Sequence, residues 1–206
     1  MLLDIVKALL LGACVAVPIG PVLLLVLQKT LSRGRWCGMV TAIGSAAVDT
    51  VYAAIGLFAL SFVEDFFAAH RGIIMLSGGL VVIAIGLWMA LRKTEPVSRR
   101  EVKGTTAVSY ALQAAGCALS NPGALVFAFA LLAFFNLGAG SLKAPVWAII
   151  LGVFAGEMLY WSFLTYALVH FKKFSDSSVR VISHVAGWAI VAFGLFLTVK
   201  GIFYLI

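Results

Sequence analysis

The chain of 206 residues is 63% hydrophobic and only 11% charged, and its mean hydropathy is +1.11. Soluble domains are about half apolar and a quarter charged, so this composition excludes a protein whose main solvent is water and predicts an integral membrane protein. The net charge of +7 does not indicate nucleic-acid binding, because the basic residues are spread over short segments between apolar runs. The lipid bilayer is the partner that we expect.

Six apolar runs follow one another along the chain, and each is close to the roughly 20 residues that cross a bilayer as a helix. They predict an all-α fold of six transmembrane helices over residues 3–28, 37–62, 72–91, 108–135, 144–169 and 179–204. The sequence does not show the alternation over about ten residues that marks the strands of a membrane barrel.

The positions of Lys and Arg predict the orientation of these helices. Eleven of the 15 basic residues lie in three segments, 29–35, 92–103 and 172–180, which share one face if successive helices alternate in direction. Because basic loops remain on the cytoplasmic side, we expect both termini to lie outside. The polar segment 92–107 is then a cytoplasmic linker between two three-helix units, 1–91 and 108–206.

The first and fourth predicted helices are both interrupted near their middle. Each proline removes a backbone donor and crowds the preceding turn, so both helices are predicted to be broken there. Broken backbone at this depth needs neighbouring helices or a water-filled cavity to satisfy its polar groups. The residues at the two breaks, all candidates for substrate binding, are Pro18, Gly20 and Pro21 in the first helix and Asn121, Pro122 and Gly123 in the fourth.

The second and fifth predicted helices carry an acid near the midplane within the same short pattern. The patterns are Gly44-x4-Asp49-x2-Tyr52 and Gly152-x4-Glu157-x2-Tyr160, and equivalent residues are 108 positions apart. Since each unit holds an odd number of helices, equivalent units enter the membrane in opposite senses. The pattern therefore predicts an inverted repeat, with breaks and acids at the interface between the two units.

A carboxylate at the bilayer centre costs on the order of 3 kcal/mol on insertion scales, so such residues usually face a transport pathway. We expect Asp49 and Glu157 to bind a substrate ammonium group and to exchange protons, with Tyr52 and Tyr160 beside them. The half-helix N-termini would bind the substrate carboxylate. Trp161 is a further candidate for the cavity wall, although packing against lipid or a neighbouring helix is the favoured role for this residue. Gly152-x3-Gly156 fits either a close helix contact or a homodimer contact.

The chain resembles the lysine exporter (LysE/RhtB) family over essentially its whole length. The resemblance lies in Pro18-x-Gly20-Pro21, the basic turn from Leu31 to Arg35, Gly38, Gly44, Asp49 and Asn121-Pro122. It implies a transporter rather than an enzyme, located in the bacterial cytoplasmic (inner) membrane, that exports amino acids or related metabolites by proton antiport without a bound cofactor. Gly123 stands where related sequences often carry a larger residue, which leaves the substrate open.

Two other functions remain open from the residues alone. A divalent-metal exporter could use the oxygen ligands of Asp49, Glu157 and Asn121. A membrane thiol-disulfide electron carrier could use Cys14 and Cys117, each of which precedes a helix break. His, Cys and carboxylate residues do not show the spacing of a resident metal site.

Overall fold

The computed structural model describes residues 1–17, 21–62, 70–91, 106–138, 142–170 and 176–205. All regular structure in these ranges is helical, which confirms the all-α prediction. The helices are α1 Leu2–Ala16, α2 Pro21–Arg33, α3 Arg35–Phe62, α4 Arg71–Leu91, α5 Ala107–Leu119, α6 Pro122–Phe135, α7 Val146–His170 and α8 Asp176–Phe203.

The helix ends lie within a few residues of the predicted ones, except that α2 continues past residue 28 to Arg33. Lys29 was expected in a solvated turn, but its side chain is buried within α2. Its ammonium nitrogen lies 4.4 Å from the ring centroid of Tyr110 on α5. An aromatic face and the long alkyl stem let a lysine remain in a packed helix. The turn comes at Gly34, whose φ of 90° favours glycine.

Two helices, α3 over residues 35–59 and α7 over 146–170, are each long and apolar enough to cross a membrane. Helices α5 and α6 pass the same test together, bent by 74° at their junction. The bend agrees with Pro122, which begins α6 and cannot continue α5. The predictions for Pro18 and Gly20 concern residues outside the described ranges, between the end of α1 and the start of α2.

Helix α1 packs against α7, and helix α5 packs against α3. Glycines allow these close approaches: a Cβ atom at Gly12 would overlap the carbonyl oxygen of Val153, and one at Gly156 would overlap that of Leu9. A Cβ at Gly44 would likewise overlap the carbonyl oxygen of Ala111. Gly156 of the Gly152-x3-Gly156 pattern therefore makes a helix contact within the chain.

Helices α4 and α8 form the most extensive helix pair and are joined by a glycine seam. An added Cβ would lie within 3 Å of an atom of the other helix at every position of the seam except Gly72, where the carbonyl oxygen of Gly201 would be 3.1 Å away. The spacing is seven residues on both helices, so the glycines follow one helix face and let the two backbones touch. The seam consists of Gly72, Gly79 and Gly86 on α4 and Gly187, Gly194 and Gly201 on α8.

The seam predicts that substitution of two adjacent glycines has very different effects on the stability of the protein. We expect Gly79→Val to destabilise the protein by about 1–3 kcal/mol, since the new side chain would overlap the Thr198 and Gly194 backbones. Gly78→Val is the matched control, because a Cβ at Gly78 meets nothing within 4 Å. Thermal unfolding in detergent should show a lower Tm for the first variant only. Equal Tm values for the two would contradict the seam.

Candidate functional site

A cavity of about 800 Å³ lies where the broken helix meets the centre of the bundle. Most of its lining is apolar, with aromatic side chains from Trp88, Phe127 and Trp161. Polar groups come from α3, α5 and the α5–α6 junction, so a small molecule inside would meet few hydrogen-bonding partners. These polar residues are Ser45, Asp49, Gln113, Ser120 and Asn121.

Two carboxyl groups from different helices meet beside this cavity. Asp49 on α3 is 7% exposed and Glu157 on α7 is fully buried. Ser45 donates a hydrogen bond to Asp49 Oδ2 at 3.2 Å, and Trp161 Nε1 donates one to Glu157 Oε1 at 3.2 Å. Each donor is four residues from its acid along the same helix, the spacing at which helical side chains are neighbours.

The second oxygen of each carboxyl group, Asp49 Oδ1 and Glu157 Oε2, has no hydrogen-bond partner among the described residues. The two carboxyl groups are close enough to interact electrostatically. Since neighbouring carboxylates repel each other, a proton on one would remove the repulsion and let it donate to the other. The pair can therefore hold a proton jointly or accept a cation.

The two acids occupy different positions relative to the cavity. Asp49 lines it, whereas Glu157 lies behind Asp49 and is not among the lining residues. The matching sequence patterns predicted equivalent roles for both acids. The structure brings them together but exposes only Asp49 to a cavity ligand.

At the second helix break, Asn121 and Gly123 line the cavity, and Pro122 is the first residue of α6. The Asn121 side chain makes no capping hydrogen bond to α6. The N-terminus of α6, with its partial positive charge, therefore faces the cavity without a side-chain cap. At the first break, Pro21 begins α2, and the two residues that follow it line the cavity.

The predicted tyrosines lie beside the site rather than in the cavity lining. The Tyr52 hydroxyl donates a 3.3 Å hydrogen bond to the carbonyl oxygen of Leu119, the last residue of α5. It thus satisfies a carbonyl that the helix break leaves free. The Tyr160 ring packs edge-on against Trp161, with centroids 5.3 Å apart.

Sequence reasoning missed two residues of the site, Ser45 and Gln113. Trp161 was a candidate for the cavity wall, although packing against lipid or a helix was favoured; it is 2% exposed, lines the cavity and donates to Glu157. The four-residue spacing from Asp49 is a signal that could have found Ser45. Gln113 has no such signal, because its place depends on how α5 packs.

The structure only partly brings together the residues that a thiol-disulfide carrier or a metal exporter would use. Cys117 lines the cavity, whereas Cys14 packs against the hydrophobic core, and both are free thiols. Within the described ranges, His, Cys, Asp and Glu residues do not gather in groups of three or more that could hold a metal ion.

The cavity extends to one side of the carboxyl pair. On α3 it reaches Ser45, toward the helix start, and on α7 it reaches Trp161, toward the helix end. On α4 it reaches Trp88, near the last turn, while α5 contributes residues from Leu112 onward. These positions all point to the end of the bundle where α3 begins, which also carries Arg33 and Arg35.

The model of the LysE type translocator family matches residues 13–201. The chain belongs to this family. The match confirms the resemblance found in the sequence and identifies a membrane transporter of amino acids or related metabolites rather than an enzyme. The chain is also 26% identical over 192 residues to the uncharacterized membrane protein YahN of Escherichia coli K12, covering 89% of this translocator and 83% of YahN. No solved structure matches it.

Proposed function

We propose that this translocator exports amino acids or related small metabolites across the bacterial cytoplasmic membrane by proton antiport with alternating access. The observation that carries the proposal is the Asp49–Glu157 pair. Each acid has one carboxyl oxygen without a partner, and the pair stands at the edge of a cavity large enough for an amino acid. Buried charged groups of this kind need a compensating ion, which a substrate ammonium or a proton supplies.

In this proposal the substrate binds between Asp49 and the start of α6. Its ammonium group pairs with Asp49 Oδ1, and its carboxylate lies at the N-terminus of α6 near Gly123. The helix dipole and the N–H of Gly123 stabilise the carboxylate without a basic side chain, since Pro122 has no N–H and the N–H of Ala124 donates to the carbonyl oxygen of Asn121. Asn121 supplies a polar contact beside it.

The proton uses the same pair of acids. When the substrate leaves, Asp49 and Glu157 would face each other as two carboxylates, so one proton binds and is shared between them. A new substrate ammonium releases that proton. Substrate and proton therefore compete for one site, which is the requirement for antiport.

The inverted repeat is supported by the way in which the helices pack. We take α1 to α4, within 1–91, as one unit and α5 to α8, within 108–206, as the other, joined by the linker 92–107. The first half-helix of each unit then packs against the second membrane helix of the other unit, as α1 with α7 and α5 with α3. The glycine seam agrees with this repeat, since Gly79 with Gly187 and Gly86 with Gly194 keep the 108-residue offset of the two acids.

Alternating access is supported by the one-sided cavity. If the basic face is cytoplasmic, with both termini outside, the cavity opens inward. On the opposite side, α6 packs on α4 and a phenylalanine cluster joins α6 to α8. In the cluster, Phe134 lies 5.0 Å from Phe193 and 5.9 Å from Phe196, while Phe127 lies 6.4 Å from Phe193, all between ring centroids.

The experiment is exchange of labelled amino acids by purified protein in liposomes, with and without a pH gradient. We expect exchange that responds to the gradient, in an orientation checked by the accessibility of the linker at Arg99. Folded protein that exchanges no amino acid would contradict the proposal. The same vesicles would then be tested with divalent metal ions, and a Cys14→Ala, Cys117→Ala variant would test the thiol-disulfide carrier.

A further inference from the structure

The described wall of the cavity carries very little charge. Among the described residues that line it, Asp49 is the only charged side chain, and Lys and Arg are not represented. Glu157 is held behind Asp49 and bonded to Trp161. A ligand in the cavity therefore meets one anionic group.

The remaining wall is suited to an apolar group. It is formed by side chains from α2, α4, α5, α6 and α8, with the indole of Trp88 and the ring of Phe127 among them. Apart from Asp49, the polar contacts are hydroxyls and the amides of Gln113 and Asn121. These neutral groups can accept or donate single hydrogen bonds but cannot balance a second full charge.

We propose that the substrate is an amino acid with one ammonium group and an uncharged, apolar side chain. This inference rests on the proposed function, and it names the substrate class of the same site. The ammonium uses Asp49, the carboxylate uses the start of α6, and the side chain fills the apolar part of the cavity. Burial of that side chain then contributes to affinity in proportion to the apolar area covered.

Dibasic and acidic amino acids are excluded by the same wall. The second ammonium of lysine would be desolvated without an anionic partner, a penalty larger than that for a neutral polar group. A side-chain carboxylate would share the cavity with Asp49 and be repelled. We expect both classes to be exchanged at least about tenfold more slowly than an apolar amino acid. A tenfold difference corresponds to about 1.4 kcal/mol.

The test compares leucine, methionine, phenylalanine, lysine and glutamate as labelled substrates in liposomes. Faster exchange of the three apolar amino acids supports the inference. Exchange of lysine or glutamate at an equal or higher rate overturns it while leaving the proposed function in place. Absence of exchange for all five, in folded protein, overturns the proposed function and this inference with it.

A single substitution in the cavity tests the same inference through the ratio of lysine to leucine exchange, without reliance on the absolute rates of the wild type. Gln113→Glu places a second carboxylate in the cavity with little change in volume, so we expect lysine exchange to rise at least about tenfold relative to leucine. Gln113→Met, of similar length but without charge, should leave the lysine-to-leucine ratio low. An unchanged ratio in the Gln113→Glu variant would overturn the role assigned to the cavity charge.

Discussion

Asp49→Asn is expected to reduce amino-acid exchange by at least about a hundredfold. The substitution keeps the shape of the side chain and a hydrogen bond with Ser45, but it removes the one charge among the described residues that line the cavity. Loss of one partner of a buried ion pair costs about 3–5 kcal/mol, and about 1.4 kcal/mol corresponds to a factor of ten. The measurement is counterflow of labelled substrate in liposomes without a pH gradient.

The matched control is Asp4→Asn, the same chemical change in another helix. The Asp4 carboxylate accepts hydrogen bonds from the backbone N–H groups of Lys143 and Ala144, at 3.0 and 3.1 Å, and does not line the cavity. The amide oxygen of asparagine can still accept such a bond, so exchange should remain close to that of the wild type. Equal loss in both variants would show that the Asp49 effect is structural.

Glu157→Gln is expected to abolish proton coupling without abolishing substrate exchange. Because Glu157 lies behind Asp49 and Gln can still accept from Trp161, we expect counterflow to persist while the response to a pH gradient is lost. The measurement is the ratio of exchange with and without a gradient at one substrate concentration. A variant that responds to the gradient as the wild type does would contradict the shared proton.

Phe134→Ala is expected to open the side of the protein where the phenylalanine cluster joins α6 to α8. Phe134 contacts the rings of Phe135, Phe193 and Phe196, and each such pair contributes about 0.5–1.5 kcal/mol beyond buried area. Of these contacts, only those with Phe193 and Phe196 join α6 to α8, and their removal should favour the outward-open state by at least about tenfold. Labelling of Cys117 by a membrane-impermeant thiol reagent should then rise from outside and fall from the cytoplasmic side.

The labelling experiment uses a Cys14→Ala, Cys37→Ala background, so that Cys117 is the reporter within the cavity. Phe163→Ala is the control, because Phe163 is 73% exposed on α7 and outside the phenylalanine cluster. Its labelling should match that of the background. If Phe134→Ala folds and labels like this control from both sides, the cluster does not close the outer side.

The residues of the site differ in how far the sequence could predict them. The helix break at Asn121-Pro122 follows from the chemistry of proline, and the importance of Asp49 follows from the cost of a charge at membrane depth. For Trp161 the sequence left two roles open, because the same residue type commonly packs against lipid. The glycine seam was missed because a lone glycine says little until the helix opposite it is known.

The amino-acid sequence was sufficient to predict the lipid bilayer as the surroundings of the protein, the all-α class, the approximate helix ends and the break in the fourth helix. These features depend on local composition and on backbone chemistry within a few turns. The tertiary structure was needed to show that Asp49 lines the cavity while Glu157 does not, and that the cavity extends to one side of the two acids. Both depend on how α3 packs against α5 and α7, helices that are far apart in the chain, and identical sequence patterns cannot distinguish their surroundings.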